Sequence, residues 1–128
     1  MDSIAQPAAR PRILLVEDDS AVRRSIQLML HAHGYDVRAY ASGALALADP
    51  AATEAACLVT GYRMAGMTGS ELLRGLRAAG WLRPAILITA LRGDDPRDAG
   101  GARFDDILEK PLLDRRLLAC VDRATGRG

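Results

Sequence analysis

Lysine is nearly absent from this chain of 128 residues: of its 17 basic side chains 16 are Arg, and Lys110 stands alone. Cysteine is scarce as well. Two thiols in a chain of this size do not make a disulfide framework. Cys57 and Cys120 both sit among apolar neighbours, which reads as reduced, buried side chains. An excess of one charge sign is also lacking. The formal net charge is +1, so nothing points to direct binding of nucleic acid or to capture by an anionic membrane. Residues 1–12 hold no apolar segment of the kind a signal peptide needs, and no run approaches transmembrane length. The expectation from these absences is one soluble, cytoplasmic domain, long enough to bury a core without covalent staples.

What is present is a 49% hydrophobic composition arranged in short runs. Residues 1–11, rich in Ala and Pro, read as a flexible tail. Arg12 to Val16 is a continuous apolar run ending abruptly in Glu17-Asp18-Asp19, which fits a strand buried on both faces. Ser20 or Asp19 can cap the helix that follows, where Val22, Ile26, Met29, Leu30 and His33 recur at helical spacing, with Gly34 at its end. Tyr35 to Tyr40 reads as a second strand. Ser42 to Asp49 is a short helix stopped by Pro50, and Cys57 to Thr60 a third strand leading into a glycine-rich loop. Ser70 to Ala79 is a helix carrying Leu72, Leu73 and Leu76 inward, Ala85 to Thr89 a fourth strand, and Asp105 to Glu109 a fifth. Leu112 to Ala124 closes the domain as an amphipathic helix with Leu117, Leu118 and Val121 inside, leaving 125–128 as a tail or linker start. Strands alternating with helices at these lengths call for βαβ units, hence an α/β fold with a parallel sheet between two helical layers. A fourth helix is due between Gly93 and Arg103, but Asp94-Asp95-Pro96 and Gly100-Gly101 make it short or disordered.

Chemistry in an open parallel sheet collects outside the carboxyl ends of the strands. Those ends carry Glu17-Asp18-Asp19, Gly61, Thr89 and Lys110. Adjacent carboxylates repel, and a hard divalent cation such as Mg²⁺ relieves them. A hydroxyl and a compact ammonium on neighbouring strands suit the oxygens of a phosphoryl group. Taken singly these are a helix cap, a loop glycine, a surface hydroxyl and a solvated amine. Their convergence on one sheet edge, with the sole Lys among them, favours a site.

Ile13 to Asp19, Arg63-Met64 with Gly66-Met67-Thr68-Gly69, Ile88-Thr89-Ala90 and Glu109-Lys110-Pro111 together resemble the receiver domain of two-component response regulators. The glycine-rich loop is especially similar to receivers of the nitrogen-fixation and LuxR-type regulators. The likeness covers residues 12–124, with 43 residues from Asp18 to Gly61, 28 on to Thr89 and 21 more to Lys110. The resemblance implies a flavodoxin-like (βα)5 fold of strand order 2-1-3-4-5, and phosphorelay signalling in which a histidine kinase phosphorylates an Asp after the third strand. It also implies Mg²⁺ held by Glu17 and Asp18, with Asp18 as the direct ligand and the Arg63 backbone carbonyl as a further one. Thr89 and Lys110 match the phosphoryl-binding hydroxyl and amine, and Pro111 the family's frequent cis proline.

The departure is central. Gly61 stands where the family has its acceptor Asp, and glycine supplies no nucleophilic oxygen. Ala65 replaces a usual Pro, and Ile107 the aromatic residue three before the Lys. The expectation is an atypical receiver, not an enzyme, that binds Mg²⁺ weakly and works by contact with a kinase or another signalling protein, an output domain beyond residue 128 being possible. Lys110, without an Asp partner, should turn to Glu17 or Asp18. The alternative is a receiver phosphorylated at a surrogate, Glu17, Asp18, Thr60 or Tyr62, or an Asp-to-Gly variant of an ordinary one. A nucleotide-binding enzyme of the same fold would need a phosphate loop where Glu17-Asp18-Asp19 is acidic. A histidine phosphotransfer protein would be all-helical, so His31 and His33 are read as partners of a helix dipole.

Overall fold

The structure is a computed structural model and describes residues 10–90 and 103–127. Five strands form one sheet: β1 (Arg12–Val16), β2 (Asp36–Tyr40), β3 (Cys57–Gly61), β4 (Ala85–Thr89) and β5 (Asp106–Glu109). Their order is β2-β1-β3-β4-β5 and every neighbouring pair is parallel, the flavodoxin-like 2-1-3-4-5 arrangement. The central strands β3 and β4 are buried along their whole length, as their unbroken apolar runs require. Four α-helices are described: α1 (Ser20–Ala32), α2 (Gly43–Ala48), α3 (Gly69–Ala78) and α4 (Asp114–Thr125).

The alternation of strand side chains divides the core in two. Leu14, Val16, Leu58 and Leu87 pack with Leu72, Leu73 and Leu76 of α3 and with Trp81. Ile13, Leu15, Val59, Ile86 and Ile88 pack with Ile26 and Leu30 of α1 and with Leu117, Cys120 and Val121 of α4. Both cysteines are free and buried, and burial pushes the Cys57 thiol up to about 12.

Several expectations need correction. Helix α2 does end ahead of Pro50, at Ala48; what the sequence reading missed is the 3-10 turn that Pro50 then opens over Pro50–Glu54, where a missing N–H costs nothing in the first turn. Strand β5 begins at Asp106, because Asp105 turns its carboxylate to the Ala85 amide, 2.8 Å away. His33 lies outside the core: it is exposed, with Nδ1 2.8 Å from the Met29 carbonyl. Leu118 is half-buried. Helix α4 runs one residue past the expected Ala124, to Thr125, and Gly126 caps it at positive φ. The reduced fourth helix expected at 93–103 falls almost entirely outside the described residues, as does most of the 1–11 tail.

Candidate functional site

The sequence places an acidic run after β1, and the local structure fixes it tightly. Asp19 caps α1, its carboxylate accepting from the Ala21 and Val22 amides at 2.9 and 3.1 Å. Arg23, one turn into the helix, donates to the Glu17 carbonyl at 2.8 Å. Sequence reasoning missed Arg23; its place four residues after the capping Asp19 was the available signal. Asp18 is exposed between these anchors, while Glu17 is only 1% exposed.

Glu17 turns inward, over the end of β3. Its Oε2 accepts from the Asp19 amide at 3.0 Å. Its Oε1 lies 3.3 Å from Lys110 Nζ, a charge contact without hydrogen-bond alignment, so this buried oxygen has no hydrogen-bond partner among the described residues. A Cβ on Gly61 would stand 3.0 Å from the same Oε1. Gly61 has no positive φ, so its backbone would accept any residue. Gly69 is different: a Cβ there would meet the Gly61 carbonyl oxygen at 2.3 Å, and its amide donates to the Tyr62 carbonyl at 2.8 Å. The glycine-rich loop is folded back onto β3 by that close approach.

Thr89 and Lys110 come to the same place, as the sequence predicted, with the Lys110 amide donating to the Thr89 carbonyl at 2.9 Å. The Lys110–Pro111 peptide is cis. Glu17, Gly61, Tyr62, Arg63, Thr89 and Lys110 line a small cavity of about 90 Å³. Of the other surrogate acceptors, Thr60 is fully buried and its hydroxyl donates to the Gly61 carbonyl at 2.9 Å, while Tyr62 packs half-buried against the α3-side core. Ile107 packs against that same core.

Among the described residues no group of three or more His, Cys, Asp or Glu side chains is arranged to hold a metal. Two carboxylates remain. The unpartnered Glu17 oxygen suits a cation, and Asp18, Glu17 and the Arg63 carbonyl are the residues that would hold Mg²⁺, where it would offset phosphoryl charge.

This fold with these strand ends defines a receiver, and the chain belongs to the response regulator receiver domain family, whose model matches residues 13–122. The transcriptional regulatory protein FixJ of Azorhizobium caulinodans is 34% identical over 115 residues, 88% of this chain and 54% of that one. The response regulator MprA of Mycobacterium avium is 38% identical over 109 residues, 84% and 48% of the two chains. The chain thus spans about half the length of the curated relatives it matches. Among solved structures, the crystal structure of FixJ-N superposes with a TM-score of 0.78 at 34% identity, covering 92% of this chain and 95% of that one. The signal receiver domain of a putative Luxo repressor from Vibrio parahaemolyticus gives 0.81 at 24% identity, covering 92% of each chain, a likeness of fold. Receivers as a family belong to two-component signalling and bind Mg²⁺ at the phosphorylation site.

Proposed function

We propose that this chain is an atypical receiver that takes no phosphoryl group at residue 61, is not an enzyme, and signals through protein contact. The observation that carries the reading is Gly61 at the carboxyl end of β3, facing Thr89 and Lys110 across the cavity without an oxygen to attack phosphorus. With one carboxylate missing and Lys110 beside another, Mg²⁺ should bind more weakly than in a receiver with a full acidic set. The partner is a histidine kinase or another signalling protein, met in the cytoplasm. The relatives described as a transcriptional regulator and a response regulator support a fused output domain in the whole protein, with any DNA contact made there. No described helix is long and apolar enough to cross a membrane. The segment from Leu112 to Val121, with half-buried Leu112 and exposed Leu113 at its start, supports the docking face; the rest of the expected face, Gly93 to Arg103, falls almost entirely outside the described residues.

Incubation with acetyl phosphate and Mg²⁺, followed by intact-mass measurement, tests this. The expected result is no added mass. A hydroxylamine-labile gain of one phosphoryl group would show that a surrogate carboxylate accepts it and would overturn the reading.

A further inference from the structure

We propose that Glu17 has taken the place of the missing acceptor carboxylate and acts as the permanent partner of Lys110. The pocket is then balanced from within, before any metal, phosphoryl group or partner arrives. The proposal rests on the atypical-receiver reading and concerns how the vacated site is kept in one state.

The geometry is specific to the Gly61 side of the pocket. The Glu17 carboxylate lies against the position of a residue-61 Cβ, with Oε1 close at 3.0 Å and Cδ and Oε2 in ordinary contact at 3.5 and 3.7 Å. A side chain there would make the carboxylate give by a few tenths of an ångström, and an aspartate would in addition compete with Glu17 for Lys110; glycine leaves Glu17 without that competitor. Glu17 is held at two points, by the Asp19 amide on Oε2 and by the Lys110 ammonium near Oε1. Its side chain is 2% exposed and that of Lys110 31%, so water screens the pair poorly. The neighbouring Asp18 is exposed. The lone lysine also gains a reason. A point-charge ammonium fits beside a buried carboxylate in a cavity of about 90 Å³, where a planar guanidinium would demand more room and more acceptors. Glu17 is therefore a positioning residue: it fixes Lys110 and so fixes the end of β5.

Because Lys110 is the only lysine, amine acylation with peptide mapping reads this contact directly, the α-amino group serving as internal reference. In the wild-type chain, without added Mg²⁺, Lys110 should be slow to acylate. Glu17→Gln should raise the rate several-fold. Glu17→Asp, which keeps the charge but loses reach, should raise it too and serves should the Gln variant fail to fold. Asp18→Asn should have no effect. A double-mutant cycle of Glu17→Gln and Lys110→Met should show coupling of about fivefold or more in the unfolding constant, the range of contacting pairs. Unchanged acylation in both Glu17 variants, or acceleration in Asp18→Asn, would overturn the proposal. None of these measurements uses a phosphodonor, so failure here leaves the reading of Gly61 standing, and phosphorylation of the chain would overturn that reading separately.

Discussion

The two ends of the sheet treat buried polar groups in opposite ways. At the amino end they are matched. The Trp81 indole donates to the Ala55 carbonyl at 2.8 Å, and the Tyr35 hydroxyl donates to Asp122 and lies 3.2 Å from Thr125 Oγ1, while at the rim the part-exposed Arg12 pairs with Asp36 at 3.2 Å and Glu54 at 2.8 Å. At the carboxyl end a buried carboxylate oxygen lacks a hydrogen bond and a glycine faces a cavity. An unmatched buried polar group costs stability, so a fold keeps one only where something else is served. The amino end holds the domain together; the carboxyl end is where the family does its chemistry.

The contrast can be broken at several points. The largest effect belongs to Trp81→Ala, which empties a buried indole site at the amino end. About 3–5 kcal/mol of unfolding free energy should be lost, read from the urea midpoint. Mg²⁺ affinity by calorimetry should not change, and a change would mean that the two ends are coupled. Next comes Lys110→Ala, which leaves Glu17 buried without its counter-charge. A loss of about 2–3 kcal/mol at neutral pH and low Mg²⁺ is expected, the lower side of a broken buried pair because Lys110 is part-exposed. An unmoved urea midpoint would show that the carboxyl end is not short of positive charge after all.

Tyr35→Phe sharpens the matched side. Burial, then the hydrogen bond to Asp122, raises the Tyr35 phenol above its usual range. Since the folded value is the higher one, this stability is fully present below the ordinary phenol value of about 10 and is lost as pH climbs above it. The variant should lose about 1 kcal/mol at neutral pH and show a weaker alkaline fall, followed by circular dichroism. The smallest change in stability is expected from Gly61→Asp, whose backbone is permissive but whose Cβ requires Glu17 to give by a few tenths of an ångström. It should tighten Mg²⁺ several-fold by supplying a third carboxylate. Calorimetry is the right probe, because Trp81 lies at the other end of the sheet.

Much of this was legible in advance. Apolar runs fixed by their length and abrupt polar ends marked the strands, and those ends brought Glu17, Gly61, Thr89 and Lys110 together. Local rules rightly ended a helix ahead of Pro50 but missed that a proline unable to continue one helix is well placed to begin a 3-10 turn. His33 kept the apolar period yet lies on the solvent side, since periodicity does not distinguish the rim of a stripe from its centre. Which of Glu17 and Asp18 would meet Lys110 depended on side-chain rotation into space left by a residue 44 positions from Glu17, and Arg23 on a helix turn closing over a strand end. No local pattern records either.

The far end of α4 sets a schedule for the molecule. Arg127 lies over the Tyr35 ring, 4.4 Å from its centroid, and its amide donates to the Asp122 carbonyl, while Leu117, Cys120 and Val121 close the α1-side core. During synthesis the strands can emerge in order, but the part of the α1-side core that α4 covers stays open to water until the chain through Arg127 has cleared the ribosome. The nascent domain therefore waits for its last helix with part of one sheet face uncovered.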